Sequence, residues 1–330
     1  MAGIQYLTMI QDLFFRLLKS ALWNVPLQLD SYPKADEWYD IYGMARRQTV
    51  EGILYDVICD LPLEAGVPRD LAIRWMINAR HISERNSRMV ALVKQQKNDW
   101  RENDVDAVLM KGLSVAAMYP VPEHRITGDI DWLIRGEGSW NRAMELLRKS
   151  GTEVDHDSDG DVYYVDKGIV VEYHHKGLLS NTPVGVLVML NGHVLHHGMV
   201  TGIGVRHLCD MAMAYKYYKG SYDMQEYVSC LKDLGVFRWT CLLNKVLVET
   251  LGLPADLISE FPASRRISDG DCRRLMRLVM EDGNFGFNKK WRFAGFWFRF
   301  SLLFRYVPGS FIKRWFGLLS GRITLKLHKR

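Results

Sequence analysis

Two aspartates, Asp129 and Asp131, stand one residue apart in the stretch GDIDWLI. If that stretch is extended, alternation puts both carboxylates on one face. Two carboxylates so placed repel each other unless a positive charge sits between them. A hard divalent cation, Mg²⁺ or Mn²⁺, is the obvious one, because it takes oxygen ligands from one or two carboxylates and from substrate phosphates. A third acid, Glu172, lies in IVVEYH. If the two segments are neighbouring strands, the three acids converge. Metals held there would stabilise the attacking and leaving oxygens of an in-line phosphoryl displacement. His174 shares the face of Glu172. It either touches substrate or orients a metal ligand, or it is a packed, hydrogen-bonded histidine; the sequence leaves both readings open.

Alternating acids also occur on solvated strand faces, so the surroundings decide. Upstream, the apolar run VDAVLM (105–110) ends in Lys111-Gly112, and the stretch SVAAMY follows at once. A glycine that allows close backbone approach, followed by a helix start, favours an anion. Lys111 adds a point charge for phosphate. Arg125, four residues before Asp129, can pair with another phosphate oxygen. A phosphate-binding turn, a pair of acids on a strand and a later acid form a coherent set for nucleoside triphosphate chemistry.

The elements that must position these residues form an α+β pattern. Short apolar runs at 105–110, 130–134, 162–165 and 169–174 read as strands. Lys167-Gly168 reads as a hairpin turn. SVAAMY is a short helix ended by Pro120 and Pro122, and Ser139 caps a second helix through Lys149, stopped by Gly151. Helical patterns flank this region. Ile10, Leu13, Phe14, Leu17, Leu18, Ala21 and Leu22 follow the spacing of one buried helix face. A second helix is predicted over Ala45 to Cys59. A third runs from Pro68 to Lys97, with Trp75, Ile82, Met89 and Val93 as core contacts. From Val205 onward, RHLCDMAMAYKYY, MQEYVSCLKDLG and FRWTCLLNKVLVETLG are helical again. The boundaries expected are a helical region over 1–100, the mixed core over 101–180, a second helical region over 181–283 and a tail over 284–330.

The stretch VLMKGLSVAAMYPVPEHRITGDIDWLI resembles the core motif of the uncharacterised nucleotidyltransferase family, of the DNA polymerase beta type. That motif runs LKG, a short helix ending in YP, an Arg, then GDIDLLV. Lys111, Gly112, Tyr119, Pro120, Arg125, Gly128, Asp129, Ile130 and Asp131 stand in the matching places. Glu172 and His174 match a later acid-x-His segment, and ARRQTVEGILYDVI and VRHLCDMAMAY resemble flanking features. The resemblance covers roughly residues 40–250. It implies a minimal nucleotidyltransferase core, a small mixed sheet with helices on one face, flanked by helical regions. It also implies transfer of a nucleoside monophosphate from an NTP, ATP among them, with Mg²⁺, onto an acceptor hydroxyl or phosphate. Asp129, Asp131 and Glu172 would hold the metal. Lys111, Gly112, Ser114 and Arg125 would hold the triphosphate. One departure stands out. The wider superfamily opens its phosphate turn with Gly-Ser, whereas this chain reads Lys-Gly-Leu-Ser and displaces Ser114 by one residue.

The bulk composition fits such an enzyme. The chain has 330 residues, 48% of them apolar and 25% charged, enough to bury a real core in about two domains. Five cysteines without CxxC spacing argue against a disulfide framework and a thiolate zinc site. Neither a signal peptide nor a membrane span is expected, which points to the cytoplasm. Charge is uneven: residues 284–330 carry eleven Lys and Arg and no Asp or Glu. Their interleaved aromatics leave three readings of the tail. It is an anionic-membrane contact through 285–330, a nucleic-acid contact, or a helical segment packed on the body. His193, His196 and His197 match no firm zinc spacing, and Asp155, Asp157, Asp159 and Asp161 read as a solvated loop. A competing function is a non-catalytic nucleotide-binding or partner module, peripheral to the membrane, in surface-polysaccharide or peptide-modification machinery. The displaced Ser114 and the basic tail motivate it.

Overall fold

The computed structural model describes residues 8–156, 160–175, 182–200, 202–258, 261, 267–283, 301–307 and 309. The chain divides into two units, one of residues 1–49 and 182–330, the other of 50–181.

The unit of residues 50–181 holds the sheet. Its strands are β1 (Ala107–Leu109), β2 (Asp129–Ile134), β3 (Asp155–His156), β4 (Val162–Asp166) and β5 (Ile169–His174). They lie in the order β1-β2-β5-β4-β3. Only β2 and β5 pair in parallel; β1–β2, β5–β4 and β4–β3 are antiparallel. The fold is therefore α+β with a small mixed sheet. The β4–β5 hairpin turns at Lys167 and Gly168, with φ of 49° and 77°. Positive φ at both central residues matches the right-handed strand twist.

One face of the sheet is apolar, and two helices cover it. They are the long α4 (Arg69–Glu102) and α6 (Glu137–Lys149); α3 (Glu51–Ile58) and the single turn α5 (Leu113–Ala116) complete the unit. Ile130, Trp132, Ile134, Val171 and Tyr173 point into this core and meet Met89, Val93, Trp100, Ala143 and Leu147. Within it, the Trp132 indole N–H donates to Gln96 Oε1 at 2.8 Å. Gln96 Nε2 in turn donates to the Tyr164 hydroxyl at 2.8 Å, and that hydroxyl meets the Tyr173 hydroxyl at 2.9 Å. Trp132, Gln96, Tyr164 and Tyr173 thus satisfy one another's polar groups inside the core. Asn86 of α4 donates to the carbonyls of Glu123 and Arg125, at 2.7 and 2.8 Å, and fixes the loop that leads into β2.

The other unit is helical: α1 (Met9–Trp23), α2 (Ala35–Arg47), α7 (Pro183–Val200), α8 (Val205–Tyr217), α9 (Met224–Asp233), α10 (Phe237–Val246) and α11 (Asp269–Asp282). Residues 301–306 are helical as well. Phe14, Leu17, Leu18, Trp38, Tyr215, Tyr227 and Trp239 are fully or almost fully buried in it. Gln48, just past α2, accepts from the Val205 N–H at 2.8 Å and donates to the Val279 carbonyl at 2.9 Å. No helix among the described residues is long and apolar enough to cross a membrane.

Several local expectations need correction. The helix expected over 45–59 is two helices, broken at Gln48–Val50, where Thr49 takes φ of 54°. Ser139 does not cap α6: Gly136 does, and the Ser139 hydroxyl lies inside the helix, accepting from the Asp106 N–H at 3.0 Å. Helix α7 lies in the helical region expected over 181–283, although no pattern in the sequence marked out that helix. The acidic stretch after α6 is not one loop, because Asp155 opens β3 and Asp161 is drawn into the site. Asp157 and Asp159 lie outside the described residues, as does most of the tail over 284–330.

Candidate active site

The face of the sheet opposite the helices carries the chemistry. On β2, alternation sends Ile130, Trp132 and Ile134 into the core and leaves Asp129 and Asp131 on the other side. The parallel register places Asp131 against Glu172 and Leu133 against His174, so both acids and the histidine share that face. β1 ends at Leu109, and the Met110 N–H still pairs with the Asp131 carbonyl at 2.9 Å. The next residue, Lys111, therefore emerges beside Asp131.

Asp131 is the centre of the arrangement. It is fully buried. Its Oδ1 meets Lys111 Nζ at 3.0 Å and His174 Nε2 at 3.1 Å. Its Oδ2 is buried without a hydrogen-bond partner. Burial alone would push this carboxyl up, but the His174 hydrogen bond and the Lys111 charge outweigh it and hold the group below the usual range. Asp129 goes the other way: burial first, and then the charge of Asp131, raise it. One face thus holds more negative charge than its two cationic side chains balance.

His174 is held from both sides. Nδ1 donates to Asp161 Oδ2 at 2.6 Å, while Nε2 faces Asp131 Oδ1 at 3.1 Å and Glu172 Oε2 at 3.5 Å. Burial would lower its pKa, yet the hydrogen bonds to Asp131, Glu172 and Asp161 push it up to about 10. Lys111 behaves alike: burial lowers it, and the charges of Asp131 and Asp129 raise it beyond that. Asp161 also accepts from the His175 N–H at 3.2 Å.

The turn after β1 is built around Gly112, with φ of 69° and ψ of −109°. A Cβ there would lie 3.1 Å from Thr127 Cγ2 and 3.2 Å from the Asp129 carbonyl oxygen. Glycine is therefore required both by backbone angle and by space. The Ser114 hydroxyl donates back to the Met110 carbonyl. Arg125 is buried, and its guanidinium donates to the Ile126 carbonyl at 3.0 Å and reaches the Thr127 hydroxyl at 3.4 Å. Arg85 of α4 donates to the Gly128 carbonyl at 2.7 Å and braces the start of β2.

The structure thus gathers Lys111, Asp131, Glu172 and His174, with Asp129 on the same strand face. Facing oxygen and nitrogen atoms of Asp131, Glu172 and His174 all lie within 4.8 Å of one another. An orphaned buried carboxylate oxygen among converging acids is what a cation site requires, so these residues fit a divalent metal. Sequence reasoning missed Asp161. The signal was present: a two-residue turn at 167–168 fixes the hairpin register, Tyr163 faces Glu172, and two residues further out along each strand come Asp161 and His174, whose side chains meet.

A second cluster, in the helical unit, is weaker. His193 and His197 of α7 and His207 of α8 bring ring nitrogens within 4.8 Å of one another. His207 Nδ1, however, accepts from the Gly204 N–H at 3.0 Å. A neutral imidazole has one lone pair, so Nε2 of that ring carries the proton and offers no electrons to a metal. A cavity of about 1110 Å³ lies among Leu92, Trp100, Leu147, Tyr164 and Tyr173. It opens on the helix side of the sheet, and none of the acids, Lys111 or His174 lines it.

No curated protein and no solved structure matches the chain. Residues 34–186, which include all of β1 to β5 and every residue of the site, match the model of the family described as uncharacterised nucleotidyltransferase.

Proposed function

We propose that this protein transfers a nucleoside monophosphate from an NTP to an acceptor hydroxyl or phosphate, with Mg²⁺ or Mn²⁺ held by Asp129, Asp131 and Glu172. The observation that carries the reading is Asp131: a fully buried carboxylate with one oxygen orphaned, set beside a second acid that burial and repulsion push up. Such a pair is costly to maintain in a fold unless a cation balances it. The family match over residues 34–186 supports the same chemistry.

Within this reading each side chain has a task. Lys111 turns from Asp131 to the triphosphate once the acids are otherwise balanced. The Gly112 backbone allows a phosphate to approach closely. Ser114 reaches phosphate by rotating its hydroxyl away from Met110. Arg125 adds charge near the turn, since it is bonded to Thr127, and Thr127 packs on Gly112. The acceptor oxygen forms its bond to the α-phosphorus as the bond to the pyrophosphate oxygen breaks, and Glu172 takes the acceptor proton. A bound divalent cation supplies charge neutralisation for the phosphoryl oxygens. Acid, base and cation would then all stand on one sheet face.

The test is pyrophosphate release from each NTP with Mg²⁺ or Mn²⁺, with cell extract as the source of acceptor. Wild type should release pyrophosphate with at least one NTP, and Asp131→Ala and Glu172→Ala should not. Equal release by wild type and both variants would overturn the proposal.

A further inference from the structure

The acids alone suggest an all-oxygen site, but the geometry adds a nitrogen. His174 Nε2 lies 3.1 Å from Asp131 Oδ1 and 3.5 Å from Glu172 Oε2. Two ligand atoms at about 2.1 Å from one ion are about 3.0 Å apart when cis on an octahedron, and about 3.4 Å apart on a tetrahedron. The contacts of this nitrogen, the first of them also a hydrogen bond, are therefore of the length that atoms sharing one ion would keep. The other ring nitrogen supplies an independent observation. Nδ1 donates to the Asp161 carboxylate at 2.6 Å, and Asp161 is itself anchored by the His175 N–H at 3.2 Å. A carboxylate on the far nitrogen is the usual support of a metal-bound histidine, because it fixes the ring and the tautomer. With Nδ1–H so committed, Nε2 is the nitrogen left to give its lone pair, after losing its own proton to solvent. Asp131 Oδ2, buried without a hydrogen-bond partner, is a further oxygen in want of a cation.

We infer that His174 is a direct metal ligand together with Asp131 and Glu172, and that Asp161 is a positioning residue that holds it. This rests on the metal-dependent reading above and changes its content. A site with an imidazole ligand favours transition-metal ions over Mg²⁺, which prefers oxygen.

The test uses the full chain with MnCl₂, read by electron paramagnetic resonance. Free Mn²⁺ gives the affinity, and electron spin-echo modulation reports any nitrogen bonded to the bound ion. Wild type should show ¹⁴N modulation. The modulation should change to the ¹⁵N pattern when histidine is supplied as ¹⁵N-histidine, a result that needs no substitution and so does not depend on a variant folding. His174→Gln should lose the modulation and His175→Gln should keep it. Asp161→Asn should weaken Mn²⁺ about 10–100-fold while the modulation persists. Tight Mn²⁺ binding without nitrogen modulation would overturn the inference and leave the proposed function standing. A wild type whose Mn²⁺ binding is no better than that of Asp131→Ala, with or without NTP, would overturn both.

Discussion

Alanine at position 112 should damage the site through the backbone rather than through lost contacts. Gly112 adopts φ of 69° and ψ of −109°, which a residue with a Cβ enters only at a cost of about 1–3 kcal/mol. The added Cβ would also stand 3.1 Å from Thr127 Cγ2 and 3.2 Å from the Asp129 carbonyl oxygen. The carbonyl belongs to a paired strand and yields little; overpacking of this kind adds about 1 kcal/mol or more. Together the two effects come to about 2–4 kcal/mol. In a unit of this size that lowers the unfolding midpoint on the order of 5–10 °C. The displaced carbonyl is that of Asp129, so Mn²⁺ affinity should fall with stability. The assay is circular dichroism melting of Gly112→Ala beside wild type, with a Mn²⁺ titration of each. Adding Thr127→Ser should recover only the part due to Cγ2, because the backbone strain remains. A Gly112→Ala protein that melts within about 1 °C of wild type would refute the reasoning.

Three further outcomes follow from single side chains. Gln96→Leu should cost about 1–3 kcal/mol in chemical denaturation, since the Trp132 indole N–H loses its buried acceptor; a loss under about 0.5 kcal/mol would contradict this. Gln48→Ala should destabilise the helical unit by about 1–3 kcal/mol, because the Val205 N–H is left unpaired while the Val279 carbonyl keeps only the Gly283 N–H, and hydrogen exchange at Val205 should speed up; unchanged exchange would contradict it. Lys111→Met should weaken NTP binding at least about tenfold while Mn²⁺ alone binds as well or better, since the ammonium that competes for Asp131 is gone. Equal loss of both ligands would contradict that separation.

Much of the site was legible because it rests on alternation and counting. The period of two in GDIDWLI and IVVEYH placed Asp129, Asp131, Glu172 and His174 on one face, and the Lys167-Gly168 turn set the hairpin. Asp161 was equally countable from that turn, but its place in a run of four alternating acids disguised it as solvated loop. Other features had no local signal. The break between α2 and α3 sits at Gln48-Thr49-Val50, without glycine or proline, and Thr49 is held at positive φ although its side chain does not favour it. The polar residue Gln48 is buried there because it bonds two backbone groups far away in sequence, of which the Val205 N–H has no other partner in its helix. Ser139 carries a good cap side chain, yet Gly136 begins α6 first, and the serine serves the Asp106 N–H instead. Helix α7 is apolar on nearly all sides, with glycines and histidines inside it, so it shows no amphipathic stripe to read.

The measurement closest to the central claim is calorimetric titration of each NTP, in the presence of Mn²⁺, into wild type and Asp131→Asn, with melting curves to show that both are folded. The account predicts metal-dependent binding of at least one NTP by wild type and its loss in the variant. Binding that is equal in the two proteins, or absent from both for every NTP, would contradict it.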